Sequence, residues 1–343
     1  MKGLRAVARL IEARGAVAQI CVLRHGQVVL DHSFRGEPTS LFWIFSASKA
    51  FVAVLIHHLA QEGRLGLDEP IATYWPAFGS GGKQGVTIRH VLQHRSGLPC
   101  TKLSPRDAWT VTDWERATRC LAGTSTKRPP GGPPTYMPLA YGFILGEVIQ
   151  RVTGKPYAEA LGESILKPLR LADTYAGLPE SEWPRRVRLE CPLPGGFVVT
   201  SALNSRRIRS GVIPAAGIST TARDLADFYA ALLTGGLGLS NETLQEAVTP
   251  TSDGKLDRGA RLHIRWSNGF ELGGPRSGDQ TPPPFGRLSS SLAFGHNGSN
   301  CCIGWADPER QLACAYLTNL LEPQKPAVLH LAEVADAVIE ACS

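Results

Sequence analysis

The strongest constraint on this fold is an unbroken apolar run, residues 50–56, that directly follows the tetrapeptide Ser46-Ala47-Ser48-Lys49. A helix that is apolar on all sides must be buried, so the run predicts a central helix from Ser46 to about Glu62. In a helix, a spacing of three residues places two Cβ atoms about 5–6 Å apart. Burial lowers the pKa of a lysine amine, and such an amine can take the proton of a nearby serine hydroxyl.

The motif S-x-x-K alone is weak, because it occurs at four serines: Ser46, Ser80, Ser164 and Ser252. Ser80 lies in a glycine loop, Ser164 is followed by the helix breaker Pro168, and Ser252 lies in a polar, turn-like stretch. Only Ser46 opens a long buried helix. Taken in isolation, this motif is also compatible with a serine that only caps the helix N-terminus, with the Lys49 side chain extending to solvent.

Composition excludes several classes of protein. The 343 residues are 43% hydrophobic and 19% charged, which is ordinary for a globular protein of one or two domains, and a net charge of +6 does not indicate a nucleic-acid partner. The eight cysteines lack metal-ligand spacing, so neither a metal nor another cofactor is expected. The first 22 residues are interrupted by charges, and no apolar stretch approaches the roughly 20 residues of a membrane span. We therefore expect a cytoplasmic protein without a membrane partner.

The order of predicted elements indicates a discontinuous architecture. Strands are expected at residues 16–23 and 27–34 near one end and at 292–296, 301–306 and 311–318 near the other, with covering helices at 2–14 and 326–342. Residues 65–215 contain short helices in loops rich in proline and glycine, the clearest at 88–94, 141–152 and 157–166; a further amphipathic helix follows at 222–233. This predicts an α/β (α+β) fold: an antiparallel sheet built from both termini and flanked by helices (residues 1–64 and 215–343), with an inserted all-helical domain (65–214).

Further motifs follow in a defined order along the chain. They are Val91-Leu92-Gln93-His94-Arg95-Ser96-Gly97-Leu98-Pro99, the stretch from Tyr136 to Lys155, the stretch from Ala216 to Ala226, His296-Asn297-Gly298 and Gly304-Trp305-Ala306-Asp307-Pro308. Together with the serine tetrapeptide, they resemble the serine β-lactamase-like superfamily, in the branch of class C β-lactamases, D,D-peptidases, family VIII carboxylesterases and acyltransferases. The resemblance spans roughly residues 17–320 and implies the β-lactamase/transpeptidase-like fold.

The resemblance also implies roles for individual residues. Ser46 matches the acylated nucleophile, Lys49 its proton acceptor, and Tyr136 the tyrosine that shares the base role and passes a proton to the leaving group. His296-Asn297-Gly298 matches the edge strand that lines the cleft. The backbone amides of Ser46 and Ser299 then form the oxyanion hole, in which a single donor contributes about 3–4 kcal/mol to transition-state stabilisation.

One position departs from the family pattern. Pro138 stands where the lactamases have the asparagine of Y-x-N, and proline has no side-chain amide to bind a substrate amide. This favours ester substrates over lactams.

Other residues have simpler interpretations. His57 and His58 are read as structural, and Trp43 as a packing residue, with a place in the pocket wall left open. Cys301 and Cys302 are read as core thiols, and the alternative that one of them faces the pocket stays open. The arginine clusters at 185–188 and 206–209 are more consistent with a solvated basic face than with a site for an acidic carrier or anionic substrate.

We therefore expect a serine acyl-transfer enzyme that forms an acyl-enzyme on Ser46 and hydrolyses a small-molecule ester or amide. Three alternatives stay open: a transacylase that moves the acyl group to an amine or alcohol, a β-lactamase or D,D-peptidase, and a catalytically silent binding protein of the same fold. Hydrolysis and transacylation use the same residues and differ in whether the pocket excludes water.

Overall fold

The computed structural model describes residues 2–99, 110–252, 254–275 and 282–343. The strands are β1 (Ala18–Arg24), β2 (Gln27–Phe34), β3 (Phe42–Trp43), β4 (Tyr175–Ala176), β5 (Ile218–Thr220), β6 (Leu256–Asp257), β7 (Leu262–His263), β8 (Glu271–Leu272), β9 (Phe294–Gly298), β10 (Cys302–Asp307) and β11 (Leu312–Thr318). The helices are α1 (Lys2–Glu12), α2 (Lys49–Gln61), α3 (Ile71–Tyr74), α4 (Ile88–Leu92), α5 (Trp114–Gly123), α6 (Ala140–Thr153), α7 (Tyr157–Leu161), α8 (Gly196–Leu203), α9 (Arg206–Ser210), α10 (Ala222–Thr234), α11 (Asn241–Val248) and α12 (Gln324–Cys342).

The principal sheet is antiparallel and has the spatial order β2-β1-β11-β10-β9-β8. Strands from the two ends of the chain meet at its centre, where Ala18 pairs with Thr318 and Arg24 with Leu312. The predicted fold class, an antiparallel sheet built from both ends and flanked by helices, is confirmed. The order arises because β1 and β11 are mostly apolar, are buried along almost their whole length and need cover on both faces.

Helices supply that cover. On one face, α1 and α12 pack on each other and on the sheet, and Val7, Leu331 and Val338 are buried among sheet residues. On the other face, α10 lies against β1 and β11, and α2 lies deeper in the same core. Phe51 of α2 stacks on Phe228 of α10, with ring centroids 4.1 Å apart. The central helix is thus buried on all sides, as its apolar composition predicted.

The middle of the chain contains α3 to α9 and the short strand β4, which pairs with β5. Buried side chains form one continuous core that joins this region to α2 and α10, so the domain boundaries at residues 65 and 214 stay a prediction. The predicted helix at 157–166 divides into α7 and a single π-helical turn, Gly162–Leu166. The division occurs at a glycine, which has a low helix preference. No helix in the described part of the chain has the length and apolar character that a bilayer crossing requires.

Candidate active site

Ser46 lies in a 3₁₀ turn, Phe45–Ser48, that connects β3 to α2. The sequence predicted an α-helix starting at Ser46, and this was wrong by three residues, because the α-helix begins at Lys49. The tighter turn has three residues per turn, so residues i and i+3 lie in line along it. It therefore aligns Lys49 with Ser46 better than an α-helix would.

Backbone contacts fix the position of this turn. Phe45 has a φ of 47°, a left-handed conformation that a bulky residue rarely adopts. Gly298, at the end of β9, packs directly on the turn, and a Cβ at this position would lie 2.0 Å from the Ile44 carbonyl oxygen. Ser48 accepts a hydrogen bond through Oγ from the Ile218 amide, at 3.1 Å. The serine turn is therefore held between β5 and β9, which lies next to the edge strand β8 in the principal sheet.

Lys49 is fully buried, and its amine lies among three oxygen atoms. Nζ is 3.2 Å from Ser46 Oγ, 2.8 Å from the Pro138 carbonyl and 3.1 Å from the Ala215 carbonyl. It also lies 4.9 Å from the centre of the Tyr136 ring. Burial lowers the pKa of Lys49 well below its usual value of 10.5, which shifts the amine toward its neutral form.

The three contacts can be satisfied by either form of the amine. An ammonium donates to all three oxygens, whereas a neutral amine has two N–H donors, which the carbonyls of Pro138 and Ala215 accept, and one lone pair. In the neutral form, the lone pair faces the third neighbour, the Ser46 hydroxyl, 3.2 Å away. This arrangement permits transfer of the hydroxyl proton to Lys49.

Tyr136 approaches the same oxygen from the other side. Its hydroxyl lies 2.7 Å from Ser46 Oγ and donates to it. The phenol ring stacks on Trp266, with centroids 5.7 Å apart and planes inclined by 4°. The edge of His94 contacts the same ring, at a centroid distance of 4.8 Å. The structure therefore brings together Ser46, Lys49 and Tyr136, the three residues predicted as catalytic.

Asp257 holds Tyr136 in place, and sequence reasoning did not identify it. Its buried Oδ1 accepts hydrogen bonds from the amides of Tyr136 (2.9 Å), Gly259 (2.7 Å) and Ala260 (2.8 Å). Its Oδ2 accepts from Nε1 of Trp266 at 3.0 Å, so one carboxylate orients the phenol and the indole that stacks on it. The local signal was an aspartate two residues before a glycine, a turn pattern that gives no hint of its distant partners.

His296 is buried beside the cavity and stays neutral. Its Nδ1 lies 2.8 Å from the Asn297 carbonyl and therefore bears the proton, which leaves Nε2 as an acceptor. Among the described residues, Nε2 has no hydrogen-bond partner. Burial lowers the pKa of His296 to about 3. A neutral imidazole offers a hydrogen-bond acceptor to a bound molecule without adding charge.

A cavity of about 260 Å³ lies over these groups. Polar residues line one part of it and apolar side chains another. The polar set is Ser46, Tyr136, Glu271, His296, Asn297, Ser299, Asn300 and Gln324, and the others are Pro138, Ala260, Leu262, Ile264, Trp266, Pro284 and Val328. The predicted binding residues Ser299, His296, Asn297 and Pro138 thus line it, whereas Gly298 lies behind them against the serine turn. The volume fits a small ligand, and its apolar part suits a short acyl or alcohol group.

The remaining predicted positions lie outside this cavity. Cys301 and Cys302 are fully buried, and Cys301 Sγ donates to the Gly298 carbonyl at 3.4 Å. Trp43 is buried, and its ring contacts that of Phe45 at a centroid distance of 4.4 Å. His57 bonds the Asn268 carbonyl at 2.8 Å, consistent with a structural residue. Within the described ranges, no three His, Cys, Asp or Glu side chains are grouped as metal ligands would be.

Known proteins of similar sequence and shape share this architecture. The esterase/beta-lactamase LipL of Mycobacterium tuberculosis is 28% identical over 315 residues, which cover 82% of this chain and 70% of LipL. A penicillin-binding protein homolog from Caulobacter crescentus superposes with a TM-score of 0.83 at 28% identity and 98% coverage of both chains. A family VIII carboxylesterase superposes equally well, with a TM-score of 0.83 at 26% identity, 100% coverage of this chain and 97% of the other.

The family model described as Beta-lactamase matches residues 5–339. This span takes in the described sheet, the helices on both of its faces and the cavity. A match of that extent shows that this chain belongs to the Beta-lactamase family.

Proposed function

We propose that this protein is a serine esterase that cleaves small esters through an acyl-enzyme at Ser46. The observation that supports this most directly is the position of Ser46 Oγ, 3.2 Å from a buried amine and 2.7 Å from a phenol. The names of its relatives, an esterase/beta-lactamase and a family VIII carboxylesterase, agree with a serine hydrolase.

The proposed reaction begins with transfer of the Ser46 proton to the neutral amine of Lys49. Oγ then bonds to the ester carbonyl carbon, and the backbone amides of Ser46 and Ser299 stabilise the negative oxygen that develops. The carbon–oxygen bond to the leaving alcohol breaks as Tyr136 donates its proton to that alcohol, and Lys49 returns a proton to the phenolate. A water molecule, deprotonated by the same pair, attacks the acyl-enzyme and releases the acid together with free Ser46.

The preference for esters over lactams follows from Pro138. Its carbonyl, 2.8 Å from Lys49 Nζ, orients the base, and the residue has no side-chain donor or acceptor for a substrate amide. An ester has a better leaving group than an amide and depends less on such a contact. The apolar residues of the cavity, among them Leu262 and Ile264, provide contacts for the acyl or alcohol group.

The test is intact-protein mass spectrometry with a fluorophosphonate, combined with the turnover of p-nitrophenyl acetate and of nitrocefin. We expect one adduct and rapid ester turnover in the wild type, and neither in Ser46→Ala. Ser164→Ala is the matched control, since Ser164 belongs to another S-x-x-K motif, and it should behave as the wild type. An equal adduct on Ser46→Ala would refute the mechanism, and nitrocefin turnover as fast as ester turnover would identify a lactamase.

Transacylation uses the same residues and is tested in the same assay. An added alcohol that lowers the yield of free acid, and gives a new ester instead, would identify an acyltransferase. We expect water to be the principal acceptor, because the polar part of the cavity, including Asn297 and Asn300, retains water near Ser46.

A further inference from the structure

A cluster of exposed apolar side chains projects from the loop between β4 and β5. Leu193, Phe197, Val198 and Val199 are 44%, 72%, 60% and 55% exposed, and we call them the apolar knob. They are four of the nine large apolar side chains that are exposed in the described residues, yet they occupy only seven positions. Helix α8, which includes three of them, buries only Gly196 and Thr200. Such a concentration of exposed apolar surface marks a contact site.

The base of the knob is firmly attached to the body of the protein. Asn204 bonds both the amide and the carbonyl of Leu189, each at 2.9 Å, and so closes the loop. The Glu190 amide donates to the Asn319 carbonyl at 2.9 Å, and the Leu321 amide donates to the Glu190 carbonyl at 2.8 Å. These bonds anchor the loop beside the end of β11. The apolar side chains are therefore presented on a fixed support.

Arginines surround that base. Residues 180–209 contain six arginines and three carboxylates, Glu180, Glu182 and Glu190. Arg209 is fully buried, and Arg185 pairs with Asp173 and Glu182, so the other four arginines form the collar. The guanidinium groups of Arg186 and Arg206 lie 4.2 Å and 4.9 Å from the ring centre of Trp183. In the described part of the chain, neither Arg186 nor Arg188 has a carboxylate within ion-pair distance, although Arg206 pairs with Glu180. The knob thus projects from a positively charged collar.

We propose that the apolar knob and its arginine collar dock this protein on the surface of an anionic lipid bilayer. Apolar side chains that enter the region between headgroups and acyl chains, with arginines at headgroup level, are the usual features of a peripheral membrane contact. The sequence led us to expect no membrane partner because a spanning segment is lacking, but peripheral binding does not require one.

A second copy of the chain is a poorer partner for this surface. A two-fold contact through the knob would bring two arginine collars together, and unscreened like charges oppose association. An anionic bilayer instead complements the collar, and its acyl chains accept the side chains of Phe197 and Val198. Charge complementarity therefore selects the bilayer.

The experiment is co-sedimentation of the full chain with vesicles of phosphatidylcholine alone and of phosphatidylcholine with an equal part of phosphatidylglycerol. We expect binding to the mixed vesicles only, and a loss of binding when NaCl rises from about 0.1 M to about 1 M. Phe197→Ser should weaken partitioning about tenfold, because it removes the aromatic side chain that would enter the acyl-chain region. Arg186→Gln and Arg188→Gln should each weaken it about fivefold. Leu288→Ser, at an exposed leucine outside the knob, is the matched control and should bind as the wild type.

Two results would overturn the proposal. The first is a wild-type protein that stays in the supernatant with the mixed vesicles, or a Phe197→Ser variant that sediments as well as the wild type. The second is a dimer in sedimentation velocity that Phe197→Ser dissociates, which would identify a second copy as the occupant. Turnover of p-nitrophenyl acetate should be unchanged in every knob variant, which separates failure of this proposal from failure of the esterase proposal.

Discussion

The substitution Asp257→Asn tests whether one carboxylate outside the reacting groups positions Tyr136. Asp257 accepts four hydrogen bonds, three of them through Oδ1. Bonds to a charged acceptor contribute about 1.5–3 kcal/mol each and neutral ones about 0.5–1.5 kcal/mol. Asparagine also replaces one oxygen with an N–H donor. If its oxygen faces the three amides, its NH₂ group faces the indole N–H of Trp266.

The four weakened or lost bonds, after local relaxation, give an expected loss of about 3 kcal/mol in the free energy of unfolding. Unfolding entropy of about 2.1 cal/mol/K per residue converts this into a decrease of about 4 °C in Tm for a chain of this length. The effect on catalysis should be larger. Displacement of a reacting group by about 1 Å costs up to about 10²-fold in rate, so we expect kcat to fall 10–100-fold, by more than KM rises.

The matched control is Asp307→Asn. Asp307 is also a fully buried carboxylate with several partners: it accepts from the amide and hydroxyl of Ser290, the Glu309 amide and the Arg310 guanidinium. None of these partners lines the cavity. Calorimetry and steady-state kinetics on both variants should show similar decreases in Tm, with loss of kcat only in Asp257→Asn. Equal kcat values in the two variants would refute the positioning role.

The remaining predictions concern the base, the serine turn and substrate choice. Lys49→Met should lower kcat by at least about 10²-fold, and wild-type kcat/KM should fall as the pH decreases through the lowered pKa of Lys49. Between that pKa and about 10.4, the unfolded chain binds a proton that the folded chain lacks. The free energy of unfolding of the wild type, measured by urea titration, should therefore rise with pH by about 1.4 kcal/mol per pH unit relative to that of Lys49→Met. If the free energies of the two proteins changed with pH in parallel, a neutral lysine would be contradicted. Gly298→Ala should abolish ester turnover because its Cβ would lie 2.0 Å from a carbonyl oxygen, whereas Gly85→Ala, with open space around it, should retain activity. Pro138→Asn should increase acylation by penicillins, measured by intact mass, and no increase would show that Pro138 does not determine the preference for esters.

Local patterns were sufficient for the fold because strands and helices here have clear periodicity. The apolar strands near the two ends of the chain and the uniformly apolar helix after Ser46 each require burial, and a shared sheet satisfies that requirement. The start of α2 was misplaced by three residues, since the left-handed Phe45 that produces the 3₁₀ turn has no signature in the sequence.

The residues of the candidate site could be predicted from the sequence only where they belong to a recognisable motif. Ser46, Lys49 and Tyr136 were identified in this way, and they lie in contact. The acceptors that orient the amine are backbone carbonyls of Pro138 and Ala215, 89 and 166 residues away from Lys49. Any residue type provides a carbonyl, so no side-chain pattern indicates them. Only the folded chain shows that they converge.

The pKa of Lys49 is lowered by the exclusion of water rather than by a neighbouring charge. Tyr141 is fully buried, its ring centre lies 5.8 Å from Nζ, and it is not among the residues that line the cavity. A truncation there would open a path for solvent, and a hydrated amine regains its proton. The reactivity proposed for Ser46 therefore depends on how completely the packing around Lys49 excludes water. A substitution that admits water there can inactivate the serine without changing any residue that contacts the substrate.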